Sequence, residues 1–215
     1  MTMIALLLAC AMAGPVATEP LVGDEAPDDP EVTDTADTRD TGDAQARAPA
    51  VGELVITEIM DNPDPTDDDL GEWLELTNVG DDTLALAGLA LEDLEGERYV
   101  LQGDLTLAPG AFLVLAASAD PDVNGGFVPD GVFDREAFHL GNDADAVLLR
   151  VGDTLIDAVV YDDRFPEDAG KSRALDRDVM DAEDNDDAEA WCEGDGAYGD
   201  GDNQGTPGAR NDACP

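Results

Sequence analysis

The chain has few side chains that could act as a nucleophile or a general base. Its 215 residues include one histidine, His139, and two serines, Ser118 and Ser172. A serine triad needs the nucleophile beside a histidine that a carboxylate orients, and neither serine lies in a Gly-x-Ser-x-Gly setting. A dyad of Cys192 with His139 competes with the use of Cys192 in a disulfide. We therefore expect no nucleophilic hydrolase, and we expect His139 to be an ordinary residue near the end of a strand.

Paired carboxylates are the second chemistry that the residue types allow. Glu58, Glu72 and Glu75 come from two neighbouring predicted strands and could converge, as two acids must in a glycoside hydrolase. The alternatives are a hydrogen-bonded pair near the edge of a sheet or plain exposure to solvent. Because the chain has 52 acidic residues, some carboxylates will meet by coincidence. We predict that the chain is not an enzyme.

Calcium is the cofactor that the acidic loops fit best, because Ca²⁺ prefers oxygen ligands from a flexible loop. The glycine-rich stretch 194–205 offers four such ligands: Asp195, Asp200, Asp202 and Asn203. Their spacing matches no EF-hand, and no bidentate glutamate follows at the required offset. The alternative is a turn-rich loop without an ion, and the acidic segment 176–189 leaves the same choice. No other cofactor is expected.

The cysteines connect this chemistry to the compartment in which the chain works. Cys192 and Cys214 form a pair near the C-terminus, whereas Cys10 lies in an apolar N-terminal run. A cysteine pair at the end of an exported chain predicts a disulfide, and closing a loop of that length contributes about 3 kcal/mol in the chain-entropy model. Two free thiols are the alternative.

Residues 1–14 are expected to be a signal peptide. The run MTMIALLLACAMAG is apolar and ends in small residues, but it is shorter than the roughly 20 residues that span a bilayer. Residues 7–10 (LLAC) resemble a lipobox that would leave a lipidated Cys10, while residues 11–13 (AMA) fit ordinary signal peptidase. We favour a lipoprotein of the cell envelope over simple secretion, and a cytosolic chain is the remaining alternative. The segment is unusually short, so translation could start further upstream.

The charge of the chain excludes several classes of partner. Fifty-two acidic residues against ten basic ones give a formal net charge of −42 at pH 7. A body with that charge repels DNA, RNA and anionic lipid, so we predict no nucleic-acid partner and membrane contact only through a lipid anchor. A protein or a glycan at the cell surface remains as the partner, and we expect a monomer. Solubility alone is the alternative reason for so many acids.

The composition of the chain changes near residue 51, which divides the part after the signal peptide into two regions. Residues 15–50 hold no aromatic residue, many acids and five prolines, which predicts a disordered, self-repelling acidic tether. In residues 51–215, short apolar stretches alternate with Gly, Pro, Asp and Asn, and no helical period is sustained. We predict one all-β domain, a sandwich of antiparallel sheets. The predicted strands are 53–60, 72–78, 84–92, 98–101, 105–107, 111–116, 146–151 and 154–161, the last two joined by a tight hairpin at Gly152 and Asp153.

The second predicted strand has two distinct faces. Leu74 and Leu76 share one face, and Trp73, Glu75 and Thr77 share the other. We expect Trp73 to be partly exposed, with a second core face as its main use and a sugar-stacking platform as the alternative. Elsewhere, Trp191 is expected to pack over the predicted disulfide or the end of the sandwich.

Nine motifs in order along residues 56–211 resemble the lamin tail domain family. They are ITEIMDNP (56–63), GEWLELTN (71–78), LAGLALED (86–93), LAPGAF (107–112), LGND (140–143), VLL (147–149), DAVVY (157–161), GKS (170–172) and GTPGARN (205–211). The resemblance implies an immunoglobulin-like antiparallel β-sandwich. In bacteria it also implies an exported adhesion, anchoring or accessory module that has no catalytic activity of its own.

We therefore predict a non-catalytic binding or structural module of lamin-tail type, secreted or tethered at the cell surface. A calcium-dependent adhesin is one alternative, and an accessory domain or hydrolase of an exported enzyme system is the other. The chain differs from the usual bacterial arrangement because no second domain is recognisable in it.

Overall fold

Residues 45–215 are the part of the chain that this computed structural model describes. The predicted signal peptide with Cys10, and the predicted tether up to residue 44, lie outside the described residues. The strands are β1 (Leu54–Met60), β2 (Trp73–Asn78), β3 (Leu84–Ala85), β4 (Leu89–Glu92), β5 (Arg98–Val100), β6 (Thr106–Leu107), β7 (Phe112–Ala116), β8 (Gly131–Val132), β9 (Asp145–Val151), β10 (Thr154–Tyr161), β11 (Arg173–Leu175) and β12 (Trp191–Glu193). The helical elements are α1 (Asp68–Gly71) and two 3-10 turns, Asp184–Asp186 and Ala188–Ala190.

Most of these strands belong to two main sheets. One sheet has six strands in the order β12-β11-β1-β2-β7-β8, and the other has four in the order β10-β9-β4-β5, while β3 and β6 form a small pair. The pairings are antiparallel except that of β7 with β8, which is parallel. The predicted all-β, immunoglobulin-like antiparallel sandwich is confirmed. In residues 45–215, no helix is long and apolar enough to cross a membrane.

One hydrophobic core lies between the two main sheets. Strand side chains alternate between faces, so every second residue of a regular strand points inward, and a register shift between Ile56 and Glu58 lets both Ile56 and Ile59 of β1 do so. Each fully buried leucine or isoleucine stabilises the fold by about 1.5–3 kcal/mol relative to leaving it exposed. The residues from the six-stranded sheet include Ile56, Ile59, Leu74, Leu76 and Leu115, and those from the four-stranded sheet include Leu89, Leu91, Val147, Leu149 and Val159.

Gly152 and Gly88 adopt a left-handed backbone conformation at two turns that decide how the strands pair. Gly152 has a φ of 59°, and Val151 pairs with Thr154 beside it, as the predicted hairpin requires. The predicted strand 84–92 is divided, because Gly88 adopts a φ of 85° and turns the chain after β3. The division places β3 and β4 in different sheets.

Arg47, four residues before the predicted start at Val51, already makes contacts with the folded domain. The Arg47 N–H donates to the carbonyl of Thr83, and the Arg47 carbonyl accepts from the N–H of Ala85. The Arg47 guanidinium also donates to both carboxylate oxygens of Glu53 at 2.6 Å. The last residues of the predicted tether are therefore part of the folded domain.

A buried ion pair joins β11 to the end of β1. The guanidinium of Arg173 donates to both oxygens of Asp61, at 2.8 and 3.1 Å, and stacks 4.6 Å from the ring centre of Tyr161. Both charged side chains are almost fully buried. Removing one partner of such a pair leaves an uncompensated buried charge, so this contact fixes the position of β11.

Candidate functional site

The outer face of the six-stranded sheet is covered by protein. Glu58, Trp73 and Glu75 point away from the main core, yet each has 0% of its surface exposed. Residues 198–211, here called the C-terminal strap, lie over this face. The strap closes the side of the sheet where a substrate would have to approach the three side chains.

Trp73 lies in a second, smaller core beneath the strap. Its indole N–H donates to the Tyr198 hydroxyl at 2.9 Å, and its ring meets those of Phe127 and Tyr198 edge to face. The expectation that Trp73 is partly exposed is wrong, and its use in a second core face is confirmed. The buried members of this core are Met60, Trp73, Val114, Ala116 and Tyr198.

Glu58 and Glu75 converge under the strap, directly opposite each other on β1 and β2. The Glu58 carboxylate accepts hydrogen bonds from the Ser172 hydroxyl at 2.5 Å, from the Thr206 N–H at 2.9 Å and from the Thr206 hydroxyl at 3.0 Å. At Gly205, a Cβ atom would lie only 2.8 Å from Glu58 Oε1, so the strap needs glycine there to reach the carboxylate.

Glu75 is held by the same kinds of donor. Its carboxylate accepts from the Thr57 hydroxyl at 2.9 Å and from the Gly208 N–H at 2.8 Å. Burial raises the pKa of Glu58 to about 7. Burial, with the neighbouring charge of Glu58, raises the pKa of Glu75 to about 9. Both acids are hydrogen-bonded, but they lie on the two central strands of the six-stranded sheet and not near its edge, the position considered from the sequence. Their bonds to Thr206 and Gly208 fasten the strap to the sheet.

Glu72, the third candidate acid, has different partners. Its Oε1 accepts from Arg135 Nη2 at 2.6 Å, and its Oε2 accepts from the Leu140 N–H at 3.1 Å. Burial raises the pKa of Glu72 to about 7 even though the Arg135 guanidinium acts in the opposite direction. The structure brings together two of the three predicted carboxylates and uses the third to hold the segment before β9.

The candidate nucleophiles and the candidate base are bonded to other groups. Ser172 is buried and donates to Glu58, and the Ser118 hydroxyl accepts from the Asp120 N–H at 3.2 Å. His139 Nδ1 lies 2.8 Å from Glu97, in the segment just before β9. These contacts describe local structural roles for both serines and for the histidine.

Cys192 and Cys214 form a disulfide, with 5.6 Å between their Cα atoms. The predicted pairing is confirmed, and it replaces the alternative of two free thiols. Beside it, Trp191 is 5% exposed and belongs to the main core, and its ring centre lies 5.9 Å from that of Phe165. Trp191 thus closes one end of the sandwich, which was one of its two predicted positions.

Asn203, a predicted calcium ligand, has its carboxamide occupied by protein groups. Its Oδ1 accepts from the Asp64 N–H at 2.8 Å, and its Nδ2 donates to the Thr66 hydroxyl at 3.2 Å. The side chain is fully buried. To ligate an ion, Asn203 would have to give up the bond that anchors the 61–66 turn.

The three predicted aspartate ligands, Asp195, Asp200 and Asp202, are exposed. Within residues 45–215, no three or more His, Cys, Asp or Glu side chains are grouped to hold a metal ion. The glycines of this loop serve a close backbone contact, because a Cβ at Gly199 would lie 2.0 Å from the carbonyl oxygen of Gly125. Calcium binding by this loop stays a prediction.

A surface groove of about 370 Å³ lies where the β4–β5 turn meets the ends of β9 and β10. Its lining comes from residues 93–95, 139–146 and 160–162, and we call it the acidic groove. Sequence reasoning missed it because the three stretches are far apart in the chain. The feature of the sequence that could have pointed to the groove is an aliphatic residue, Leu94, between two acids in a turn.

Comparison with known proteins gives one clear result. A family model described as Lamin Tail Domain matches residues 47–163, more than half of the 215 residues. The chain belongs to the lamin tail domain family. A lamin tail domain is a structural, immunoglobulin-like module, in agreement with the two facing sheets. No curated protein matches the chain.

The matched part of this lamin tail domain ends soon after β10. It includes Glu58 and Glu75, and it begins at Arg47, which already contacts the folded domain. The groups that bond these acids from later in the chain are Ser172, which precedes β11, and Thr206 and Gly208 of the C-terminal strap. The cover over the outer face thus comes mainly from residues beyond the matched segment, together with Phe127 from within it.

Proposed function

We propose that this lamin tail domain is a non-catalytic binding and structural module that works outside the cytoplasm. The observation that carries the proposal is the complete burial of Glu58 and Glu75, the carboxylates that converge. A glycosidase needs its two acids open to the sugar and to water, whereas the strap excludes both. The acids serve to hold the strap.

The disulfide supports an exported location, because disulfides persist in oxidising compartments. We propose that residues 1–14 direct export, with Cys10 as the lipidated residue, and that the acidic stretch 15–44 serves as the tether. The partner would be a protein or a glycan at the cell surface. The net charge of −42 argues against nucleic acid and against membrane contact other than through the lipid. We propose a monomer, secreted or held in the cell envelope.

A calcium-dependent adhesin is the second candidate. It is favoured by the exposed carboxylates of Asp200 and Asp202 on a glycine-rich loop, which are the kind of ligand that Ca²⁺ takes. An accessory domain of an exported enzyme system is compatible with the same fold. It would act beside a catalytic partner.

The test of the main proposal is a hydrolase screen of the purified protein on glycans, esters and nucleic acid. We expect no turnover. Turnover that disappears in Glu58→Gln and Glu75→Gln, while both variants keep the wild-type fold, would contradict the proposal.

Export and lipidation need a separate experiment. Detergent partitioning of the expressed protein is compared with that of Cys10→Ala. We expect the wild type in the detergent phase and the variant in the aqueous phase. If both stay in the aqueous phase, Cys10 carries no lipid.

A further inference from the structure

Two large aliphatic side chains are exposed in the acidic groove. Leu94 is 68% exposed and Val160 is 50% exposed, and both line the groove. Large aliphatic residues grouped in one concave surface mark interaction sites more often than scattered ones do. A volume of about 370 Å³ is at the small end of ligand pockets, so the groove suits a short segment.

Carboxylates surround this apolar surface. They are those of Asp93, Glu95, Asp145 and Asp162. Two basic side chains lie close by and each already has a partner: His139 contacts Glu97, and Arg164 contacts Asp162. The surplus of negative charge in the groove is therefore large.

Asp145 and Asp93 both line the groove. Partial burial raises the pKa of Asp145, and the charge of Asp93 raises it further, although N–H groups of Ala146 and Gly141 act in the opposite direction. Because the two carboxylates repel each other, a cation placed between them would be attracted by both. An ammonium or guanidinium group has the charge and the donors for that position.

We propose that the acidic groove binds a short basic segment of a partner protein. The aliphatic stem of a lysine or arginine would lie on Leu94 and Val160, with its charged end among the carboxylates, as amphipathic side chains do. This inference rests on the proposed function, since it names the class of partner that the binding module takes.

Charge argues against the other occupants. A second copy carries the same net charge of −42 and would be repelled. The chain's own residues 1–44 contain ten acids and one arginine, so they are repelled as well. A glycan would be expected to stack on an aromatic ring, yet both tryptophans, Trp73 and Trp191, are buried.

The test measures the binding of two fluorescein-labelled peptides to the full chain by fluorescence anisotropy. One peptide alternates lysine with leucine, and the other has serine in place of every leucine, so that the two have equal charge. We expect the lysine–leucine peptide to bind more tightly and to keep more of its affinity when NaCl is raised from 0.15 to 0.5 M, because salt screens charge but not apolar contact.

A matched pair of double variants locates the site. Leu94→Ser with Glu95→Gln alters the groove, and Val128→Ser with Glu189→Gln removes the same kinds of exposed side chain elsewhere. The groove variant should bind the lysine–leucine peptide about tenfold more weakly, as the loss of one apolar anchor and one charge implies, and the control should change less than twofold. Thermal denaturation verifies that both variants are folded.

Three outcomes overturn the proposal. Equal weakening in both double variants would mean diffuse attraction to an acidic surface. Competition by spermidine as strong as that by the peptide would mean a site for small polycations. Absence of peptide binding would mean no such site. None of these outcomes bears on the absence of catalysis or on export, which the hydrolase screen and the detergent partitioning test separately.

Discussion

Replacing Glu75 by glutamine should stabilise the domain strongly at pH 8 and by only about 1 kcal/mol at pH 5. Burial and the charge of Glu58 raise the pKa of Glu75 to about 9 in the folded protein, whereas in the unfolded chain it should be near 4.3. At a pH between these two pKa values, Glu75 is protonated in the folded state and ionised in the unfolded state. Stability is therefore intact below about pH 4 and falls as the pH rises towards 9. Glutamine has no proton to lose, so the variant escapes this loss.

The magnitude follows from the pKa difference. Each pH unit between the unfolded pKa and the working pH costs about 1.4 kcal/mol, so ionisation of Glu75 in the unfolded chain costs the native protein about 5 kcal/mol by pH 8. The amide can keep both bonds, because its oxygen can accept from the Gly208 N–H while its NH₂ donates to the Thr57 hydroxyl. For a domain of this size, 1 kcal/mol corresponds to about 2–4 °C. We expect the midpoint to rise by about 10–20 °C at pH 8.

The assay is thermal denaturation followed by circular dichroism at pH 5 and pH 8, at one ionic strength and with the disulfide intact. Glu189→Gln is the control, since it removes one carboxylate from an exposed position. Its midpoint should stay within about 2 °C of the wild-type value at both pH values, as is usual for surface substitutions.

Two results would refute this reasoning. A lower midpoint for Glu75→Gln at pH 8 would mean that the anion is stabilised by its donors more than burial destabilises it. An equal rise at pH 5 and pH 8 would mean that the gain does not come from proton linkage. Either result would remove the claim that Glu75 is protonated beneath the strap.

The buried ion pair, the disulfide and the glycine-rich loop each give a further expected result. Arg173→Met should cost about 3–5 kcal/mol in urea unfolding, because it leaves Asp61 buried without its cation. The double variant with Asp61→Leu should lose clearly less, and an equal loss would contradict this account. Cys214→Ser should cost about 3 kcal/mol, and a reducing agent should destabilise the wild type similarly without changing the variant. Millimolar calcium should leave the midpoint unchanged, because the Asn203 carboxamide is already bonded. A rise in midpoint that Asp200→Asn abolishes would support the adhesin instead.

The long strands could be predicted from the sequence because their pattern is local. Residues 146–161 contain two apolar runs around a Gly-Asp turn, and they fold as β9 and β10 with Gly152 in the left-handed region. The disulfide could be predicted in the same way, since two cysteines close to the C-terminus have few other partners. In both cases the required information lies within about one element and its turn.

The short elements could not be predicted in this way. Strands β8, β11 and β12 have two or three residues each, which is too few to show alternation. β11 even begins with a buried arginine, Arg173, whose burial depends on Asp61 more than a hundred residues earlier. The acidic groove is similar, because three separated stretches of chain form it.

The sequence by itself determined which side chains share a face of β2: Leu74 and Leu76 on one side, Trp73 and Glu75 on the other. The tertiary structure alone decided that both faces are covered. Glu58 is bonded to Thr206, 148 residues further along the chain, and no local period carries information over that distance. Burial is a property of what finally packs against a face, so the return of the C-terminal strap turned two ordinary acids into a buried, proton-holding pair.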